Sequence, residues 1–128
     1  MSAEFLYRIR PTRLAMLTSG PTPEEAGATQ AHFNYLDAAR EAGVVLAAGR
    51  TLTADENTFG IVILRAPNEE LAREFMEHDP AVRAGVMHAE LFPFRVALWS
   101  ARPAPGEAAA HEEPQPPARV LLPPVEIE

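Results

Sequence analysis

Residues 60–94, GIVILRAPNEELAREFMEHDPAVRAGVMHAELFPF, hold the changes of hydrophobic period that decide the fold. Ile61 to Leu64 is an unbroken run of branched apolar residues in a stretch that ends at Pro67, the composition of a strand covered on both faces. Asn68 then caps a helix whose apolar side is read as Leu71, Phe75 and Met76, and Pro80 forbids its simple continuation through His78 and Asp79. "PAVRA" predicts a short helical piece ending at Gly85. "MHAELFPFRVALW" supplies the last strand, with Pro93 at a bulge or an edge position.

The same order recurs on the N-terminal side. Phe5, Tyr7 and Ile9 alternate with Leu6, Arg8 and Arg10, the period of a strand ending at Pro11. "TRLAMLTSGP" is mixed and reads as a loop with room for a helical turn. Thr22 with Glu25 three residues on is a capping box, and Pro23 stands where its missing N–H costs nothing. The helix they announce runs to about Ala42 and stops at Gly43. Its core arc is read as Ala28, His32, Phe33, Leu36 and Ala39, so His32 faces inward. "VVLAAGRTL" is a strand, "TADEN" a polar turn, and "TFGIVILRA" the strand that completes a hairpin.

The order is β-α-β-β-α-β, an α+β chain on the split plan called ferredoxin-like. Two helices cover one face of such a sheet. Yet Val44, Leu46 and Ala48 oppose Val45 and Ala47, and Ile61 and Ile63 oppose Val62 and Leu64, so both faces are apolar. An uncovered second face would exceed the several hundred Å² that soluble monomers ordinarily expose. A second copy of the sheet is the simplest cover, and a homodimer is expected. The domain is assigned to residues 1–100, and the Pro/Ala/Glu-rich residues 101–128 are read as a tail whose apolar end, "RVLLPPVEI", is a candidate for docking.

With 128 residues and 47% apolar content the chain suits one domain with a real core. No apolar run approaches the roughly 20 residues needed to cross a bilayer, and the first residues lack a signal-peptide layout, so a cytoplasmic protein with no membrane partner is expected. A net charge of −7 argues against nucleic acid, whose binding rests on basic side chains displacing counterions. All 11 basic residues are arginine and cysteine is absent, which removes Schiff-base, P-loop-lysine and thiolate chemistry. The remaining toolkit is His, Asp, Glu, Arg, Tyr and hydroxyls.

Within that toolkit Asp79 has two readings. Asp at the N-cap, Pro80 in the first helical position and Gly85 past the end describe a capped helix without chemistry. A cap uses one carboxylate oxygen, however, and leaves the other for a partner. His32 is the candidate: burial favours its neutral form and a nearby carboxylate its charged form, so such a pair holds an acid or base near neutrality. The plain alternative is a hydrogen-bonded core histidine. His78 and His88 with these two do not have the spacing of a zinc site, and no metal is expected. Arg8 and Arg50, the latter beside Gly49 at a strand end, are candidate contacts for an anionic substrate.

The pieces "EFLYRIRP", "HFNYLDAAREAGVVLAAG" and "GIVILRAPNEELAREFMEHDPAVRAGVMHAELFPFRVAL" together resemble the YciI-like (YCII-related) family over about residues 4 to 99. The helix-one histidine, "AGVVLAAG" and "DPAVRAG" carry the resemblance. It implies protomers paired sheet to sheet in a dimeric α+β barrel, with a cleft holding a helix-one histidine and the aspartate of the D-P motif, here His32 and Asp79. It also implies, from one branch, cofactor-free acid/base lyase chemistry of the dehydrochlorinase kind on a phenolic or chlorinated molecule. Two alternatives stay open: a non-catalytic binding or accessory dimer, and a cofactorless oxygenase.

Overall fold

The computed structural model describes residues 2–102 and 105–106. Its elements are β1 (Ala3–Pro11), α1 (Ala15–Thr18), α2 (Pro23–Glu41), β2 (Val45–Arg50), β3 (Gly60–Ala66), α3 (Glu69–Glu77), α4 (Pro80–Arg83) and β4 (Met87–Phe94). The strands form one antiparallel sheet in the order β2-β3-β1-β4. This is the ferredoxin-like α+β plan, with α1 and α4 as short additions. The chain divides at Val96, and the unit that begins at Ala97 exposes Leu98 and Trp99. The "RVLLPPVEI" segment, the candidate for docking, lies outside the described residues.

Each helix begins where its sequence supplies a cap. Thr22 accepts the Glu25 N–H at 3.1 Å and the Glu25 carboxylate accepts the Thr22 N–H at 2.8 Å, which satisfies two otherwise orphaned donors. Arg13 grips the same carboxylate with two bonds of 2.8 and 2.7 Å, tying the preceding loop to α2. Those bonds and the capping contact hold the Glu25 carboxyl down at about 2. Asn68 caps α3 through the Leu71 N–H at 2.9 Å. After α4 the chain turns at Gly85, whose φ of +77° a side chain would strain, and enters β4.

Alternation along the strands separates the two faces. Phe5, Tyr7 and Ile9 of β1, Val62 and Leu64 of β3 and Val45 of β2 are buried with Leu36, Ala72 and Met76 of the helices. Tyr7 stands opposite Val62 on one side and Leu91 on the other, at the middle of this layer. The opposite face carries Leu6, Ile61, Ile63 and Phe92 in neighbouring register, half-buried or exposed. Two helical assignments shift. Phe33 is 55% exposed and Tyr35 takes its place, since consecutive helical residues point about 100° apart and His32 already faces in. Leu71 is likewise exposed, and Ala72 is the buried residue that lets α3 approach the sheet.

Candidate acid/base site

Asp79 owes its position to Pro80. The proline ring disfavours helical geometry at the preceding residue, so Asp79 is extended (φ −60°, ψ 125°) and α3 ends before it. In that conformation its side chain folds back over α4 and Oδ1 accepts the Ala81 N–H at 3.0 Å. The same side chain is 0% exposed, pressed between α2 and the sheet. A carboxylate removed from water needs donors around it. It has them: the Tyr7 hydroxyl from β1 donates to Oδ2 at 2.7 Å, and His32 Nδ1 from α2 lies 2.8 Å from both oxygens.

His32 is the one member of this cluster that reaches solvent, with 13% of its side chain exposed. Its Nε2 makes no hydrogen bond among the described residues, whereas Nδ1 is committed to Asp79. When Asp79 is ionised, it accepts from Nδ1–H and the neutral ring carries its lone pair on Nε2. The imidazole thus presents a proton acceptor outward, or a donor once protonated. Tyr7 stays a phenol: burial, then the Asp79 charge and hydrogen bond, push its ionisation well above the ordinary range. Tyr35, one turn beyond His32, is pushed up to about 12 by burial and then by Asp79. Its hydroxyl donates to the Phe75 carbonyl at 2.8 Å and its ring stacks on Phe75 at 4.8 Å.

Of the four residues singled out in the sequence, the fold brings two together. Arg8 follows Tyr7 on β1 and so projects from the other face, where it pairs with Glu90 of β4. Among the described residues Arg50 reaches only the Thr51 carbonyl, at 3.5 Å. Each arginine lines one of two shallow depressions of about 190 and 340 Å³, which share Phe59 and include neither His32 nor Asp79. His78 bonds the Glu74 carbonyl at the end of α3, and among the described residues no three His, Cys, Asp or Glu side chains gather as for a metal ion. Tyr7, by contrast, belongs to the cluster although its position in the alternation marks it only as core. The available signal was its hydroxyl, because a tyrosine predicted inside needs a buried partner.

Comparison with known proteins agrees with this architecture. The family model described as YCII-related domain matches residues 5–95. No curated protein sequence matches significantly. Among solved structures, the chain is similar to 5-chloro-2-hydroxyhydroquinone dehydrochlorinase (TftG) from Burkholderia phenoliruptrix AC1100, in complex with 2,5-dihydroxybenzoquinone. The TM-score is 0.52 at 20% identity, over 71% of this chain and 93% of that one. SnoaB, a cofactor-independent oxygenase from Streptomyces nogalater, aligns at a TM-score of 0.39 and 15% identity over 76% and 96%.

Proposed function

The chain belongs to the YCII-related domain family, and from that premise we propose a cytoplasmic homodimer that performs acid/base chemistry on a small hydroxylated aromatic molecule, with His32 as base and acid and Asp79 as its orienting partner. The observation that carries the reading is that His32 Nδ1 is committed to Asp79 while Nε2 has no hydrogen-bond partner among the described residues. Such an imidazole takes a proton from a phenolic hydroxyl and returns it elsewhere on the same ring. The fold shared with TftG suggests the reaction class, a lyase-type loss of HCl. In a chlorinated trihydroxybenzene, tautomerisation moves one hydroxyl proton onto the chlorine-bearing carbon. Removal of a second hydroxyl proton then expels chloride with the bonding pair and leaves a hydroxyquinone, so electrons balance without an added oxidant.

Dimerisation is supported by the sheet face that carries Leu6, Ile61, Ile63, Phe92 and Phe94, with Phe92 and Phe94 43% and 40% exposed. Two such faces in contact would close the sheets on each other. The functional test is chloride release from 5-chloro-2-hydroxyhydroquinone under anaerobic conditions, followed beside quinone absorbance. The expected result is catalysed release that falls by about 10²–10⁴-fold in His32→Ala, the usual contribution of a general acid/base. Release by His32→Ala at the native rate would sink the assignment. If the native protein is inactive on this compound and on a panel of other phenols, and these leave the His32 ring signals unmoved, the non-catalytic reading wins.

A further inference from the structure

We infer that Tyr7 is a positioning residue of this site, acting on His32 through Asp79. The inference rests on the acid/base reading above. The Asp79 carboxylate is held by three donors from three separate elements: the Tyr7 hydroxyl, the Ala81 N–H and His32 Nδ1. The Ala81 bond alone leaves the carboxylate able to swing about Cβ–Cγ. With Tyr7 on Oδ2 and Ala81 on Oδ1 the plane is fixed, and both oxygens are then 2.8 Å from Nδ1.

The second consequence concerns where the protons lie. A phenol donates one hydrogen, and here no other acceptor meets the Tyr7 hydroxyl among the described residues, so Oδ2 accepts. Because Tyr7 keeps its proton, that demand does not lapse at ordinary pH. A carboxylate obliged to accept from Tyr7 and from Ala81 favours accepting from His32 as well, which assigns the hydrogen to Nδ1 and the lone pair to Nε2. The titratable groups around Asp79 are Tyr7 on β1 and His32 and Tyr35 on α2. Tyr35 gives its hydroxyl to Phe75, so it affects Asp79 only at a distance.

The test reads His32 and Tyr7 directly by NMR. In the native protein the His32 ring nitrogens should show the Nδ1–H form, with Nδ1–H visible downfield and protected from exchange. Any other tautomer overturns the acid/base reading itself. Tyr7→Phe, which keeps the ring, should remain folded, mix the tautomers and exchange the Nδ1 proton at least about tenfold faster, as expected on losing a charge-assisted bond. Tyr35→Phe should leave both unchanged, although it too deletes a hydroxyl. A second measurement needs no variant: the native Tyr7 Cζ resonance should shift in step with His32 protonation, well beyond any shift at Tyr35. If native His32 is Nδ1–H but Tyr7 Cζ stays flat through that transition, or Tyr7→Phe leaves Nδ1–H protection intact, Tyr7 is a core residue only and the inference fails.

Discussion

Replacing Asp79 separates capping from orientation. Alanine there removes the acceptor of three hydrogen bonds at once, two of them from buried donors, the Tyr7 hydroxyl and the Ala81 N–H. A buried donor left without a partner costs about 1–3 kcal/mol, and His32, 13% exposed, costs less because its proton can shift from Nδ1 to the outward Nε2. Loss of the cap, about 1 kcal/mol, is the Ala81 share of that total rather than an addition to it. The two buried donors together make the cost roughly 2–6 kcal/mol for Asp79→Ala. Asparagine behaves differently: its one oxygen still caps Ala81, while its NH₂ group meets His32 or Tyr7 as a donor. Asp79→Asn should therefore cost about 1–2 kcal/mol, because one hydrogen bond of the set is mismatched. It should also invert His32 to the Nε2–H form and remove the outward lone pair. Urea unfolding gives the energies and nitrogen-15 NMR the tautomer. A cost below about 1 kcal/mol for Asp79→Ala, or an unaltered His32 tautomer in folded Asp79→Asn, would refute the reasoning.

Tyr7 should make the fold sensitive to alkali. Its ionisation lies higher folded than unfolded, so its contribution is complete below about pH 10 and is lost as pH rises further, and Tyr7→Phe should flatten urea stability above that point. Glu25 has the opposite sign: held at about 2 by Arg13 and the cap, it stabilises the fold above the ordinary carboxylate range and ceases to as pH falls from about 4 toward 2. Glu25→Gln should show the shallower acid limb in the same assay. On the open face, Ile63→Asp should give a folded monomer by light scattering, and a dimer that survives the charge would place the interface elsewhere. A chain ended at Arg102 should stay folded by circular dichroism, since the last paired strand residue is Phe94; an insoluble product would bring the tail into the core.

Local chemistry explains what the sequence disclosed. The capping box at Thr22, the stop at Gly43 and the break at Asp79-Pro80 are each written in adjacent residues, so the element order was legible. His32 and Asp79 were legible as a pair only because a cap leaves an acceptor to spare and the arc of α2 aims inward. Phe33 and Leu71 were not, because hydrophobicity does not say which of two neighbouring helical directions the sheet occupies. The slip in pairing at Leu46, between Val45 and Ala47, depends on how β2 meets β3 and has no local signature. Arg8 was half legible: period two already set it against Tyr7, but only the packed helices show which face holds His32.

The sheet order has a consequence for how the protein comes into being. β1 is made before the other strands yet lies between β3 and β4, so it cannot pair until Gly60–Ala66, about two thirds of the way along the domain, has been made. Such distant pairings require the entropy cost of closing long loops to be met before any contact offsets it, which slows folding. The Tyr7–Asp79 bond joins residues 72 apart, and the His32–Asp79 bond residues 47 apart. A nascent chain that has not yet emitted Asp79 has three of its strands but no outward base. On the acid/base reading, the chemistry of His32 is withheld from chains that have not yet passed Asp79, and protection of its ring proton would time the closing of the domain.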